Sequence, residues 1–146
     1  MSRVIQPSLN NPSIYRSNDM LLQAIQAEHA PAALGTYSQA IKCGNALYLS
    51  GQLPINPLTL QPCNAKVGHQ LHHGFANLRA VSKSSGGDLA KVVKLNLYLT
   101  DLTNAPKANQ IMAGYFSKPY PARAAVGVAS MPQNFCIEAE AIRVLD

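Results

Sequence analysis

Arg123 is the single charge in the run PARAAVGVASM, residues 121–131. A guanidinium does not give up its proton, so at the entrance of a strand of small and apolar residues it requires an anionic partner. Glu138, at the start of the following strand-like run CIEAEAIRVL, which is expected to be the antiparallel neighbour, is the candidate for a structural salt bridge, and a bound small anion is the other answer. His69, His72 and His73 form the second group of chemically capable residues, and His69 with His73 has the i, i+4 spacing of a two-histidine metal clamp. At about 100° per residue all three point away from the apolar stripe of their helix, and no HExxH glutamate accompanies them, so a solvated helix face is expected and no metal. Cys43, Cys63 and Cys136 are odd in number and lack any CxxC pairing, which fits buried or idle thiols in a reducing cytosol. The glycines compose neither GxGxxG nor a P-loop, and Ser38, Ser50 and Ser130 lack a GxSxG context.

The elements that must carry these residues are legible from periodicity. Ser38 to Lys42 and Ala46 to Ser50 read as a hairpin around Cys43-Gly44-Asn45, with Gly and Asn expected at positive φ. A loop rich in turn residues follows, from Pro54 to Asn64. Val67, Leu71, Phe75, Leu78 and Val81 then draw one stripe along a helix from about Lys66 to Ser84, ended by Gly86-Gly87. Val93, Leu95, Leu97 and Leu99 alternate with Lys94, Asn96 and Tyr98, the period of a half-buried strand. A second helix is expected to open at Thr103-Asn104, with Pro106 in its first turn, and to stop before Pro119. Ala124 to Ala129 and Cys136 to Leu145 read as closing strands joined by a Met131-Pro132-Gln133-Asn134 turn. The order β-β-α-β-α-β-β describes an α+β sandwich, one sheet with two helices on one face. In the last strand Glu138, Glu140 and Ile142 face opposite to Ile137, Ala139, Ala141 and Arg143, and neither set is uniformly polar, so burial of the uncovered face against other copies in a closed homo-oligomer is expected.

Residues 1–20 are polar and carry no h-region of a secretory signal, and read as an extension packed on a domain spanning 21–146. The 146 residues are 47% hydrophobic and 13% charged, as in one globular domain, and no window approaches the roughly 18 apolar residues of a membrane span. Twelve Lys+Arg against seven Asp+Glu leave a net charge of +5. The basic residues are scattered without aromatic interleaving, which argues against nucleic acid as the main partner. Only three glutamates are present, Glu28, Glu138 and Glu140, which excludes an Asp-rich calcium loop and leaves few carboxylates for multi-carboxylate metal chemistry.

Taken together, the stretch 121–144 resembles the signature of the RidA (YjgF-like) family of reactive intermediate imine deaminases: an Arg-containing strand, a Leu/Met-Pro turn and an I-E-x-E-A-I strand. The likeness extends to APAALGTYSQAI at 30–41, ALYLSGQLPINP at 46–57, VVKLNLYLTDL at 92–102 and the helix from Asn109 to Phe116. It covers about Ala30 to Val144 without an evident gap. It implies a chorismate-mutase-like α+β fold with one mixed sheet, assembled as a homotrimer with three ligand clefts between adjacent subunits. The cysteine usage points to the cytoplasm, while Arg3 and Arg16 with the single acid Asp19 leave an organelle open.

The activity the resemblance implies is hydrolysis of enamines and imines of the 2-aminoacrylate/2-iminopropionate type to 2-keto acids and ammonia, without metal or organic cofactor. Arg123 would grip the substrate carboxylate bidentately. Glu138 would orient and activate the attacking water as a general base. Tyr37, Ser50, Gly51 and Asn109 match pocket-lining positions of the family. Three departures stand out: Ala125 where many members have Cys or Thr, Gly127 in place of a common acid, and Thr36 in place of the Pro before the tyrosine. Ala125 keeps its backbone N–H for the ligand and loses a side-chain contact, so the departure bears on substrate preference. Some similar proteins have been described as endoribonucleases that inhibit translation, and a ligand-binding or chaperone-like trimer without turnover is a third reading.

Overall fold

A computed structural model describes residues 14–17, 20–63 and 65–145. Residues 1–13, most of the expected extension, lie outside the described residues. The elements are β1 (Ile14–Ser17), β2 (Met20–Ile25), β3 (Ala40–Cys43), β4 (Ala46–Gln52), α1 (Val67–Lys83), β5 (Val92–Leu99), α2 (Ala105–Met112), β6 (Ala122–Gly127) and β7 (Ile137–Val144). The strands form one seven-stranded sheet in the order β1-β2-β3-β4-β7-β5-β6. It is mixed: β5 and β6 are parallel and every other pair is antiparallel. Two strands, β1 and β2, therefore precede the expected order. No helix among the described residues is long and apolar enough to cross a membrane.

The alternation expected for β5 holds from Leu95 onward, where Leu95, Leu97 and Leu99 are fully buried. It fails at Val93, which is exposed, while Val92 is buried in its place. The register shifts between Val92 and Lys94, and such an irregularity moves the inward set by one residue. The stripe of α1 packs on this face through Leu71, Phe75, Leu78 and Val81. Gly74 lets it approach closely, since a Cβ there would stand 2.5 Å from Ile137 Cδ1. Two buried amides on α1 tie down loop backbone. Gln70 Oε1 accepts from Cys136 N at 2.8 Å, and Asn77 Nδ2 donates to Leu53 O and Ile55 O at 3.0 and 2.9 Å.

Several local expectations are corrected. The hairpin turn is closed by the pair Cys43 and Ala46, and of its two turn residues only Gly44 has positive φ, as a turn with a left-handed first residue requires. Asn104 precedes α2 without a side-chain cap. The capping group is Asp101, whose carboxylate accepts from Thr103 N at 2.9 Å and organises a single 3₁₀ turn over 102–104. The turn after β6 is a 3₁₀ turn at Pro132–Asn134 in which Gln133 and Asn134 take positive φ.

The largest correction concerns the last two strands. They were expected to be antiparallel neighbours, with Glu138 beside Arg123. The β5-α2-β6 unit is a parallel crossover that carries β6 to the outer edge of β5, and β7 fills the slot between β4 and β5. One strand thus separates Arg123 from Glu138.

Candidate active site

The register assigns each candidate residue to a face. Leu95 stands between Arg123 of β6 and Ala141 of β7, so Arg123 shares the face on which the helices pack. Tyr98 stands between Val126 and Glu138, so Glu138 shares the uncovered face with Lys94, Asn96, Tyr98 and Glu140. Within one chain the two residues are on opposite sides of the sheet. The expected intramolecular salt bridge is not formed: among the described residues the ion pairs are Arg79–Asp88 and Lys83–Asp88.

Arg123 is instead held by α2. Its Nη1 donates to Asn109 Oδ1 and lies 3.4 Å from Met112 Sδ. The side chain is exposed and borders a cleft of about 460 Å³ with Asn109, Met112, Ala113, Tyr120 and Pro121. Ala125, two residues along β6 and opposite Leu97, follows on the same face and is half-buried against the core. Gly127 continues that face, and a Cβ there would meet Leu102 Cγ at 3.2 Å, so Leu102 occupies the room a larger side chain would need. This half of the site offers a fixed cation, an amide, and an open apolar wall.

The second half is built around a bulge. Leu49 pairs with Ala141 and Gln52 with Ala139, leaving Ser50 and Gly51 of β4 opposite Glu140 alone. Glu138 lies directly over the bulge: a Cβ on Gly51 would stand 2.0 Å from Glu138 Oε1. Ser50 Oγ donates to Ser38 O at 2.5 Å and Ser50 N donates to Gln39 O at 3.0 Å, which fastens the segment carrying Tyr37 to the same bulge. Gln39, buried, accepts from Ala27 N at 2.7 Å and donates to Pro31 O at 2.7 Å, holding the chain around a second hollow that Tyr37 lines with Ala33 and Glu28. Tyr37 itself is 54% exposed.

Burial, and then the neighbouring Glu140, push the Glu138 carboxyl above the usual 4.5. No side chain among the described residues donates a hydrogen bond to it. Glu140 accepts from Tyr98 OH at 2.5 Å and from Asn96 Nδ2 at 3.1 Å. That donation pushes the Tyr98 phenol up to about 12. The structure therefore gathers Arg123, Asn109 and Ala125 on one side and Glu138, Ser50 and Gly51, with Tyr37 fastened through Ser38, on the other. Sequence reasoning placed Glu138 and Glu140 on one face from their i, i+2 spacing but missed Tyr98 and Asn96, whose meeting with Glu140 depends on the β5–β7 register. His72, from the histidine group, bonds Tyr115 OH at 3.2 Å on the outer side of α1.

Comparison with known proteins agrees with the motifs and the fold. The family model described as endoribonuclease L-PSP matches residues 27–145. A 2-iminobutanoate/2-iminopropanoate deaminase of Dermatophagoides farinae is 38% identical over 117 residues, covering 80% of this chain and 91% of that protein. The crystal structure of RidA from the Antarctic bacterium Psychrobacter sp. PAMC 21119 superposes with a TM-score of 0.80 at 44% identity, covering 84% of this chain and 99% of that one. That of E. coli TdcF with bound serine superposes with a TM-score of 0.79 at 29% identity, covering 85% and 99%. With two helices packed on one mixed sheet, the same ordered motifs and a match across nearly the whole described chain, the protein belongs to the endoribonuclease L-PSP family, the RidA/YjgF-like proteins.

Proposed function

We propose that this protein hydrolyses reactive 2-enamino and 2-imino acids of the 2-aminoacrylate/2-iminopropionate type to 2-keto acids and ammonia, in clefts completed between copies of a homotrimer. The observation that carries the reading is an exposed Arg123 guanidinium with no carboxylate partner among the described residues, poised at a cleft by Asn109. A charge fixed there and left unpaired suits a small carboxylate ligand, which can take two of its parallel N–H donors. The serine bound in the related E. coli TdcF structure and the similarity to the 2-iminobutanoate/2-iminopropanoate deaminase of Dermatophagoides farinae point the same way.

In the reaction the imine carbon gains a hydroxyl from water while Glu138 accepts the water proton. That proton passes to nitrogen to give the neutral carbinolamine; its hydroxyl proton then moves to the amine by way of the same carboxylate as the C–N bond breaks and the C=O bond forms, and ammonia leaves. A half-buried carboxylate that accepts from no side chain among the described residues is suited to accept the water proton. Because Arg123 and Glu138 face opposite ways in one chain, a site using both draws them from different copies. The exposed Tyr48 and Val126 on the uncovered sheet face supply apolar surface for that packing.

The experiment is to add the purified protein to a serine or threonine dehydratase reaction containing semicarbazide, which competes with water for the imine. Wild type is expected to accelerate keto-acid release and suppress semicarbazone formation, and Arg123→Ala to lose that effect. A wild-type protein without effect, or an Arg123→Ala variant with full effect, would overturn the reading.

A further inference from the structure

Two carboxylates stand side by side on the uncovered face of β7, and the structure treats them unequally. Glu138 and Glu140 are two residues apart, about 7 Å along a strand. Tyr98 is directly opposite Glu138 in the β5–β7 register, yet its hydroxyl reaches diagonally to Glu140 Oε1, where Asn96 Nδ2 also arrives. One carboxylate is tethered by two donors, and the other, packed over Gly51, accepts from no side chain among the described residues.

We infer that Glu140, tethered by Tyr98 and Asn96, is a positioning residue for Glu138: it holds a fixed negative charge beside the free carboxylate and keeps that carboxylate an avid proton acceptor. The inference rests on the hydrolase reading above and deepens it. Like charges this close disfavour the simultaneous ionisation of both groups, and a tethered neighbour cannot swing away to relieve the repulsion. A general base is more effective as its affinity for protons approaches the working pH. The direction in which the Glu138 carboxyl is displaced agrees, with Glu140 second to burial as its cause.

The other groups facing the pair fit this arrangement. From β5, Lys94 lines a hollow of about 200 Å³ with Asn96, Glu140 and Tyr48 of β4, and forms no ion pair with either glutamate. From β4, Ser50 has its hydroxyl committed to Ser38 O. From β6, Ala124 and Val126, opposite Asn96 and Tyr98, add no titratable group.

The test uses the full chain and two readouts. In the first, the pH dependence of imine hydrolysis is measured for wild type, Glu140→Gln and Glu140→Asp. Glu140→Gln is expected to move the acidic limb to lower pH and to reduce kcat about 3–10-fold with KM little changed. Glu140→Asp, which keeps the charge, is expected to restore the limb toward wild type. A purely structural role would lower activity without moving the limb, and that result overturns the inference while leaving the hydrolase reading standing.

In the second readout, the chain is labelled with ¹³Cδ-glutamate and titrated. With only three glutamates in the sequence, Glu138 is assigned by Glu138→Gln. Its midpoint is expected to fall in Glu140→Gln, and an unmoved midpoint overturns the inference even if the protein proves to have no deaminase activity. If Glu140→Gln does not fold, Tyr98→Phe replaces it. Releasing one tether lets Glu140 turn toward solvent, so the Glu138 midpoint is again expected to fall, and no change again overturns the inference.

Discussion

Arg123 and Glu138 are carried by the same sheet but project from its opposite faces, because Arg123 is in register with Leu95 and Glu138 with Tyr98, three positions along the strand between them. At strand spacings of about 4.8 Å, the two backbones are also roughly 10 Å apart across β5. A reaction that uses both residues at one carbon therefore requires a second copy of the chain.

That relationship predicts complementation. Arg123→Ala and Glu138→Gln subunits are each expected to be inactive alone. Dissociated together and reassembled at equal ratio, they are expected to regain about a quarter of wild-type activity, the fraction of interfaces in a cyclic oligomer that receive both intact residues. Activity of the mixture no greater than that of the separate variants would show that the two residues do not serve one shared site.

Gly51 is predicted to be indispensable to catalysis and dispensable to folding. Its φ is not in the left-handed region, so alanine is compatible with the backbone, but the added Cβ would lie 2.0 Å from Glu138 Oε1. The end of a glutamate side chain yields more readily than backbone, so Gly51→Ala is expected to displace the carboxylate and lower kcat by roughly tenfold or more. Its thermal midpoint is expected to stay within a few degrees of wild type.

Arg143 is predicted to be a stability residue with no part in the chemistry. It is 1% exposed and caps the C-terminal end of α1, donating to Ser82 O at 2.7 Å and Gly86 O at 2.6 Å. Gly87 makes room for it, since a Cβ there would stand 2.3 Å from Nη2. Arg143→Ala would take the donor from Gly86 O and leave a void beneath the end of α1, at a cost of about 3 kcal/mol in urea unfolding with an unchanged m value. Activity of the folded fraction is expected to be unaltered.

The pH dependence of stability follows from two carboxyls displaced in opposite directions. Glu138 is raised above 4.5, so its native state favours the neutral form; the associated stability is present below 4.5 and is lost as pH rises through the raised value. Asp88 is lowered below 3.8 by its hydrogen bond from Arg79, so its contribution is present above 3.8 and is lost as pH falls through the lowered value. Asp88 is partly exposed, and solvent screening keeps that contribution small. In urea titrations across this range, Glu138→Gln is expected to remove the loss on the rising side and Asp88→Asn the loss on the acidic side.

Most inward-pointing residues, Val93 of β5 excepted, can be read from the amino-acid sequence, because alternation and the 3.6-residue period are local properties of the backbone. The stripe of α1, the leucines of β5 and the shared face of Glu138 and Glu140 were legible in this way, as was the unusual position of Arg123. The sequence also carried the family motifs, from APAALGTYSQAI to the I-E-x-E-A-I strand. Only the tertiary structure decided strand order and register, since β7 enters between β4 and β5 through contacts remote in the chain. From that choice follow the separation of Arg123 from Glu138, the diagonal bond from Tyr98 to Glu140, and the seat of Glu138 over the Gly51 bulge. A local pattern specifies faces, whereas neighbours across a sheet are selected by the packing of the whole core.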